Sequence, residues 1–398
     1  MALLACLVLS HPALAEDLSL EQAIKQALER NPTIAAGQLS AGAARESARG
    51  ARALANPDLL VAPSVIGTAG SDSAVLLTQP LEINGSRTAR SRIAAREADA
   101  ASCDARIVSR EIVLKVKQLY WDTVRAQQVV RLNVDNVSYL EALDKAARKQ
   151  LEVGKSPGSQ VIKSEVELAR ARQELAQAQL DLENGLLELA TLLGRRSHAG
   201  FTAADPLIFA EPAIDRGALV TTALERRPEV LAAAAQSEAA QGQVAAARAK
   251  LIPDIELQAR KASFDSDEGG VALAVTLPVL DWGSVKAERR SAGMAVAARQ
   301  KQLEAARNAV VLDVEQAVRA IATAARVVRE YEGGIMDKSA RLADMAQKGY
   351  EKGATSYLEV LEAQRTLRSV RTAYYSALAD HAKALAQLDW ASGTEVNR

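Results

Sequence analysis

Ala-Leu-Glu-Arg-Asn-Pro at residues 27–32 returns as Ala-Leu-Glu-Arg-Arg-Pro at residues 223–228, which is 196 positions later (223 − 27). Asn-Pro-Asp-Leu at residues 56–59 returns as Ile-Pro-Asp-Ile at residues 252–255, and the spacing is again 196 positions (252 − 56). Two matches at one spacing indicate that the second half of the chain is a copy of the first.

The match continues through the rest of both halves. Pro80–Gly85 matches Pro278–Gly283 at a spacing of 198, and Gly154–Gly194 matches Gly353–Gly393 at a spacing of 199. A spacing that drifts by only three positions (199 − 196) predicts a duplication with small insertions in loops. We therefore expect two structural repeats with the same order of elements.

Each repeat is expected to hold a helix, a strand pair and a long helical hairpin. We expect the chain to divide into repeats at 16–194 and 216–393, joined by a polar linker at 195–215 that contains two prolines. The strand pairs are predicted at about 57–83 and 253–280, and the helical hairpins at about 86–193 and 284–390.

Helix signals are strongest in the first repeat. Ser19 and Gln22 have the spacing of a capping box, and Asn31-Pro32 interrupts the segment that follows. Residues 86–153 contain neither proline nor glycine, and 68 helical residues (153 − 86 + 1) span about 100 Å. In the turn at residues 154–158, glycine fits a helix end, serine an N-cap and proline the first position of the next helix. Gly333-Gly334 is expected to weaken or break the second long helix.

The strands of the second repeat alternate between apolar and other residues, and each is about eleven residues long, as in transmembrane β-strands. The same pattern fits a soluble two-stranded ribbon. Four strands cannot close a barrel, and an open sheet edge is not tolerated in lipid. Membrane insertion therefore requires oligomerisation, with eight strands from two chains or twelve from three.

Composition excludes several classes of function. The 398 residues carry 49 basic and 49 acidic side chains, so no nucleic-acid footprint is present. His11, His198 and His381 lie far apart in sequence, and Cys6 and Cys103 build neither a zinc site nor a disulfide framework. No nucleophile motif or phosphate loop appears. We expect no metal site, no cofactor and no enzymatic activity.

Residues 1–15 are apolar and uncharged and end in Ala-Leu-Ala before Glu16. This pattern predicts an exported chain with a leader that is cleaved after Ala15. The basic start of such a leader is missing, which leaves open a start further upstream. From the residues that precede Cys6 we expect no lipid attachment there.

The chain resembles the TolC family of outer-membrane efflux ducts. The resemblance rests on the doubled plan, the exported start and Gly-Tyr-Glu-Lys-Gly-Ala-Thr-Ser-Tyr-Leu-Glu-Val-Leu-Glu at residues 349–362. Thr-Gln-Pro-Leu-Glu-Ile-Asn-Gly-Ser-Arg at residues 78–87 is similar to the heavy-metal efflux subgroup. The resemblance implies a mainly α fold with a small β part, which forms an oligomeric α-barrel and a transmembrane β-barrel.

The resemblance also implies a homotrimer in outer-membrane lipid that docks to a periplasmic adaptor and an inner-membrane efflux pump. Such a duct conducts its cargo, here metal cations or small toxic compounds, and performs no chemistry. The turns that meet the adaptor match Gly154, Lys155, Ser156, Gly353, Ala354 and Thr355.

Glu359, Glu362 and Tyr350 match the residues that form the periplasmic constriction of the family. Two simpler roles stay open, because Glu359 fits a capping box with Ser356 and Glu362 fits a solvated helix face. In the first repeat the counterparts of the two glutamates are Gln160 and Lys163. Better-known members place an arginine opposite the tyrosine, whereas this chain has Thr355, so closure through hydroxyl contacts is expected.

A second class of function is a periplasmic coiled-coil protein that binds partners through its helical hairpins and has no membrane role. A pure coiled coil needs sustained heptads and has no use for two strand pairs at equivalent positions. The strand pairs therefore favour the duct. Trp282, just after the last strand, is a candidate interfacial anchor, whereas Trp121 and Trp390 are expected to pack on helices.

Overall fold

The computed structural model describes residues 16–62, 74–154, 157–196, 201–261, 269–276 and 282–394. The fold is mainly helical with a small sheet part, as predicted. The predicted leader at residues 1–15, His198, and Lys155 and Ser156 of the first turn lie outside the described residues. No helix in the described ranges is both long enough and apolar enough to cross a membrane.

Helices and strands follow one another in this order. The helices are α1 (Leu20–Arg30), α2 (Pro32–Arg52), α3 (Ser86–Glu152), α4 (Gly158–Leu192), α5 (Arg216–Arg226), α6 (Pro228–Ala249), α7 (Ser284–Glu330), α8 (Met336–Glu351) and α9 (Tyr357–Ser392). A π-helical turn at Tyr331–Ile335 separates α7 from α8. The strands are β1 (Glu16–Leu18), β2 (Asp58–Ala62), β3 (Ala74–Leu81), β4 (Phe201–Ala203), β5 (Asp254–Lys261) and β6 (Gly269–Thr276).

The chain folds into two compact units, and each unit draws on both halves of the sequence. The first unit comprises the described parts of Met1–Ala35, Ser109–Ala223 and Leu312–Arg398. The second comprises those of Ala36–Val108 and Leu224–Val311. The compact units therefore do not coincide with the two repeats at 16–194 and 216–393.

The core of the first unit lies around a short parallel strand pair that the sequence pattern did not predict. β1 pairs with β4, with Glu16 opposite Phe201. Leu18, Tyr120, Leu189 and Leu193 are fully buried beside this pair. The Tyr120 hydroxyl lies 2.9 Å from the carbonyl oxygen of Leu18. Strands of three residues carry too little alternation to be recognised in a sequence.

The helix boundaries predicted in the first half of the sequence agree with the structure, except at Pro157. Ser19 and Gln22 form the capping box of α1, and Asn31 ends that helix before Pro32 begins α2. α3 runs without a break over 67 residues. Pro157 was expected at the first helical position but takes the N-cap position of α4 with extended backbone angles, and it has no N–H to place in the helix.

The second unit contains a four-stranded antiparallel sheet in the order β2-β3-β5-β6. β3 and β5 join the two halves of the sequence, with Thr78 opposite Gln258 and Leu81 opposite Ile255. β2 and β6 form the two edges, and the outer ends of the predicted strands lie outside the described residues. The large apolar side chains that remain exposed on the sheet are Leu59, Leu60, Val61, Leu77, Leu81, Leu257, Val271, Leu273 and Val275.

The predicted flaw in the second long helix is confirmed at Gly333-Gly334. The π-helical turn contains Gly334 at φ 135°, a value that L-residues rarely adopt. The Met336 N–H donates to the Tyr331 carbonyl, five residues back. The second helical hairpin is therefore α7, this turn, α8 and α9, whereas the first hairpin is α3 and α4.

Candidate docking turns and constriction

The second turn closes α8 with a complete glycine cap. Gly353 has φ 75°, its N–H donates to the Tyr350 carbonyl at 2.9 Å, and the Ala354 N–H donates to the Gly349 carbonyl at 2.8 Å. This pair of bonds is the Schellman motif, which satisfies the last carbonyls of a helix. Gly353 and Ala354 are exposed and Thr355 is half-buried, so the turn presents backbone and small side chains to a partner.

The Thr355 side chain forms its hydrogen bond within the second turn. Its hydroxyl donates to the Ala346 carbonyl at 3.1 Å. A side chain added at Gly349 would place its Cβ 2.0 Å from the Thr355 Oγ1, so Gly349 is the residue that makes room for the threonine. Within one chain, therefore, Thr355 is not the partner of Tyr350.

The Tyr350 hydroxyl instead joins the two helical hairpins. It accepts a hydrogen bond from Gln160 Nε2 at 2.8 Å and lies 3.2 Å from Gln150 Oε1, to which it donates. Its ring lies 6.2 Å from the ring of Tyr357 and contacts the apolar clusters on both sides of the seam. Sequence reasoning did not pair Gln150 or Gln160 with Tyr350, because no local pattern signals a contact between residues 200 or 190 positions apart.

Glu359 has the capping role that the sequence left open. Ser356 N–H donates to Glu359 Oε2 at 2.8 Å, and Glu359 N–H donates to Ser356 Oγ at 3.3 Å. Both residues are exposed. Its counterpart Gln160 does not cap α4 but reaches across to Tyr350. The two equivalent positions therefore perform different tasks.

Glu362 extends from the same helix into solvent. Its side chain is 70% exposed, and its only ion pair among the described residues is a long one, 3.9 Å to Arg365. Such an exposed pair contributes little to stability. The Glu362 carboxylate is thus available to act on an ion nearby.

Above the turn, further contacts tie the second hairpin to the first. Arg365 on α9 pairs with Glu167 on α4 at 2.5 Å, and Arg368 pairs with Glu174. The Tyr139 hydroxyl on α3 donates to Gln347 Oε1 on α8 at 2.6 Å. The hydrogen bond that Arg365 donates to the Glu167 carboxylate raises the pKa of the guanidinium, so this cation stays charged.

A buried carboxylate stabilises the first hairpin near its tip. Burial acts to raise the pKa of Asp144, but hydrogen bonds from Arg148 and Ser164 outweigh it and hold that pKa below its usual value. Asp144 is 8% exposed, and Arg148 Nε lies 2.8 Å from its carboxylate. Because the folded-state pKa is depressed, this stabilisation is present above the unfolded pKa and is lost as pH falls through the folded one.

The first turn is described only in part. Gly154 has φ 72° and donates to the Leu151 carbonyl at 2.9 Å, so it ends α3 as predicted, while Lys155 and Ser156 lie outside the described residues. Val153 and Ile162, on the two sides of this turn, are 60% and 63% exposed. Leu358 beside the second turn is 59% exposed. Both turns therefore present apolar side chains at their rims.

The histidine, cysteine and tryptophan side chains that the sequence singled out differ in how deeply they are buried. His381 is fully buried against Phe209, and burial lowers its pKa. Cys103 is half-buried, Trp121 is buried beside Tyr120, and Trp282 is 92% exposed. Within the described ranges, no group of three or more His, Cys, Asp or Glu side chains could hold a metal ion.

The hydrogen bonds of Tyr350 are expected to hold the end of α8 and the second turn, here called the tip of the second hairpin, against the first hairpin. Tyr350→Phe removes both hydroxyl bonds. At about 1 kcal/mol for each bond the loss is about 2 kcal/mol, or about 30-fold in a local opening equilibrium. Trypsin cleavage after Lys348 and Lys352, followed by mass spectrometry, is expected to accelerate by that factor. Tyr350→Phe combined with Gln150→Ala should be no faster than the quicker single variant, because the first change already removes the bond to Gln150.

Tyr375→Phe is the matched control, because its hydroxyl has no hydrogen-bond partner among the described residues and its removal should leave cleavage at the tip unchanged. A Tyr350→Phe protein cleaved at the rate of the unmodified chain would show that the two hairpins do not depend on this contact.

Comparison with known proteins places the chain in a family. The sequence profile of the outer membrane efflux proteins matches residues 23–195 and 219–394. The cobalt-zinc-cadmium resistance protein CzcC of Cupriavidus metallidurans is 25% identical over 377 residues, which cover 94% of this chain and 89% of CzcC. The pyoverdine export outer membrane protein OpmQ of Pseudomonas aeruginosa is 26% identical over 303 residues, which cover 73% of this chain and 62% of OpmQ.

The fold is similar to that of the open state of the Neisseria gonorrhoeae outer membrane channel MtrE. The TM-score is 0.79 at 22% identity, and the alignment covers 95% of this chain and 90% of MtrE. The family profile matches both halves of the sequence and leaves out little between them. The chain therefore belongs to the outer membrane efflux protein family, in the TolC group, and is a protein of the outer membrane.

Proposed function

We propose that three copies of this chain form one passive duct, which docks to a periplasmic adaptor and an inner-membrane efflux pump. The observation that carries the proposal is the four-stranded sheet of the second unit, whose edges β2 and β6 have no partner strand within the described residues of one chain. Leu59, Val271 and Leu273 on these edge strands are 63%, 73% and 61% exposed. Such a sheet is suited to lipid only if other copies satisfy its edges.

The duplication of the sequence supplies a register for the seam between copies. β6 is the counterpart of β3 in the second half of the sequence, at the spacing of 198 that separates Pro80 from Pro278. β5 is the counterpart of β2, at the spacing of 196 that separates Asp58 from Asp254. Within the chain, β3 pairs with β5 and places Thr78 opposite Gln258. The equivalent pairing of β6 with β2 of the next copy places Thr276 (78 + 198) opposite Ala62 (258 − 196).

This register is testable by cross-linking. Thr276→Cys with Ala62→Cys, in a Cys103→Ser background, is expected to form a disulfide between chains on mild oxidation, seen as dimer and trimer bands on a non-reducing gel. Each single-cysteine variant is a control. Thr276→Cys with Leu59→Cys, about 10 Å out of register along the strand, should not cross-link.

A monomer band from the matched pair, in protein recovered from the outer membrane, would contradict the proposed seam. Efficient cross-linking of the shifted pair would keep the oligomer but overturn the register.

The two turns are the proposed adaptor contacts. Gly154, Gly353 and Ala354 are exposed at the ends of long helices, and the exposed Val153 and Leu358 provide apolar contact area beside them. Lys155 and Ser156 are assigned to the same surface from the sequence. Exposed turns on rigid elements are common places for binding residues.

Glu359 and Glu362 are the proposed selectivity residues of the periplasmic constriction, and Tyr350 holds the helices that carry them. Three copies bring six carboxylates around one axis, which attracts cations and makes ionising all of them together less favourable. Glu362 is mainly solvent-exposed, whereas Glu359 also caps its helix, so the two positions differ in how far a change disturbs the fold.

Glutamine variants separate the charge from the cap. Glu359→Gln with Glu362→Gln removes six charges per trimer, while glutamine at residue 359 still fits a capping box. The cation-over-anion permeability ratio in planar bilayers is expected to fall severalfold at low salt and much less at 1 M salt, where the screening length is about 3 Å.

Ser356→Ala serves as the control, since it breaks the cap without changing any charge and should leave the permeability ratio as it is. A glutamine variant with unchanged ion preference would remove these two residues from the constriction.

The cargo is proposed from the relatives. CzcC is named for resistance to cobalt, zinc and cadmium, and OpmQ for export of pyoverdine. Metal cations or small toxic compounds are therefore the proposed cargo of this duct, and its acidic constriction is consistent with a cation.

A further inference from the structure

The end of the four-stranded sheet that adjoins the helices of the second unit brings four stretches of chain together. Asp254 at the start of β5 lies opposite Thr276 at the end of β6. Asn84, just before α3, donates to Asp254 Oδ1 at 2.7 Å. Arg90 on α3 donates to the carbonyl oxygen of Ala51, at the end of α2, at 3.2 Å. We call these stretches the collar, which comprises residues 46–58, 82–92, 248–254 and 282–290.

The collar carries more positive than negative charge. It contains ten lysines and arginines and five aspartates and glutamates, which gives a net charge of +5 (10 − 5), whereas the whole chain has 49 of each sign. The charge balance of the chain therefore hides a local excess, which becomes visible only when four separate stretches are brought together.

Three of the ten basic side chains in the collar pair with its carboxylates. These pairs are Glu46–Arg49, Glu82–Arg90 and Glu288–Lys250, with N···O distances between 2.5 and 2.7 Å. The other seven form no ion pair within the described ranges, and all seven are exposed to solvent. They are Arg52, Arg87, Arg92, Arg248, Lys286, Arg289 and Arg290.

Three of these seven cations share one face of α7, close to its start. Lys286 is followed by Arg289 and Arg290 at spacings of three and four residues, which are neighbours on a helix surface. Neither α3 nor α7 has an acidic residue in its first turn, where Arg87 and Lys286 lie instead. Cations at this end oppose the helix dipole, so the arrangement costs stability unless a nearby anion offsets it.

The collar also exposes a band of apolar side chains. Trp282, just before α7, is 92% exposed, and four aliphatic side chains are between 48% and 68% exposed, namely Leu54, Ile83, Leu251 and Ile252. Exposed aromatic and aliphatic residues beside lysines and arginines are typical of the boundary between acyl chains and lipid headgroups. The band continues the exposed leucines and valines of the sheet, which is the part of the chain proposed to enter lipid.

We propose that the collar binds anionic phospholipid headgroups in the periplasmic leaflet of the outer membrane, with Trp282 at the acyl boundary and Lys286, Arg289 and Arg290 at the phosphates. Arginine can donate two parallel hydrogen bonds to a phosphate, and lysine contributes a point charge. Each lysine or arginine near an anionic membrane surface strengthens binding about fivefold. The proposal rests on the sheet entering lipid, as in the proposed function, and is independent of the cargo.

Quenching of tryptophan fluorescence by brominated lipids tests the collar. The protein is reconstituted into vesicles of phosphatidylcholine and phosphatidylglycerol in equal amounts, with bromine on the acyl chains of one lipid at a time. Quenching that disappears in Trp282→Phe is assigned to Trp282. We expect the relative binding constant to favour phosphatidylglycerol at least about fivefold at low salt. In 1 M salt, where the screening length is about 3 Å, this ratio should fall towards one.

Variants at the start of α7 test the named cations. Lys286→Gln with Arg289→Gln and Arg290→Gln is expected to bring the ratio close to one. Lys286→Arg with Arg289→Lys and Arg290→Lys keeps the charge and is expected to keep the preference for phosphatidylglycerol. Light scattering in detergent shows whether each variant assembles like the unmodified protein.

The matched control removes the same charge elsewhere on α7. Arg299→Gln with Lys301→Gln and Arg307→Gln begins 13 residues beyond Lys286 (299 − 286), which is about 20 Å further along the helix. These three side chains are also exposed, and their replacement should leave the ratio unchanged.

The outcomes separate this inference from the proposed duct. Equal quenching of Trp282 by the two lipids, or a preference that survives the glutamine variant at the start of α7, would overturn the headgroup site and leave the sheet in lipid. A loss of preference in the control variant as large as in the collar variant would also overturn it. No quenching of Trp282 by either lipid would contradict the lipid-facing sheet itself, and the proposed duct with it.

Discussion

The outer edges of β2 and β6 expose backbone N–H and C=O groups that have no partner strand within the described residues of one chain. The proposed assembly depends on this constraint. Lipid offers no substitute for a missing backbone hydrogen bond, so a four-stranded sheet can enter a membrane only when other copies complete it. The exposed leucines and valines of the sheet are consistent with that environment. In the proposed trimer, residues at one height along the common axis recur around a ring, so the two exposed glutamates of each chain become six.

The two halves of the sequence match, yet the two hairpins are not equivalent. Gln160 and Glu359 occupy matching positions, but the first joins the hairpins through Tyr350 and the second caps its own helix. α3 is continuous, whereas its counterpart is divided by the turn at Gly333-Gly334. The two hairpins therefore differ in structure although their sequences match, and the differences lie in a handful of side chains and one pair of glycines.

Much of the fold followed from local sequence signals, because long helices and their caps are decided by nearby residues. The capping boxes at Ser19 and Ser356, the unbroken α3 and the helix-ending glycines at residues 154 and 353 are all local features. The pairing of β1 with β4 and the bonds between Tyr350 and the glutamines depend on residues that are far apart in sequence. The position of Pro157 was wrong by one residue, because an extended N-cap and a first helical residue suit proline almost equally.

The central claim is that the chain functions only as a closed assembly in the outer membrane. The most direct measurement is the mass of the protein extracted from fractionated outer membranes, determined by light scattering in detergent with the detergent contribution subtracted. The account predicts a single species of three chains in that fraction. A monomer or dimer recovered from the soluble periplasmic fraction would contradict it, since the sheet edges would then be unpaired and the acidic ring would not form.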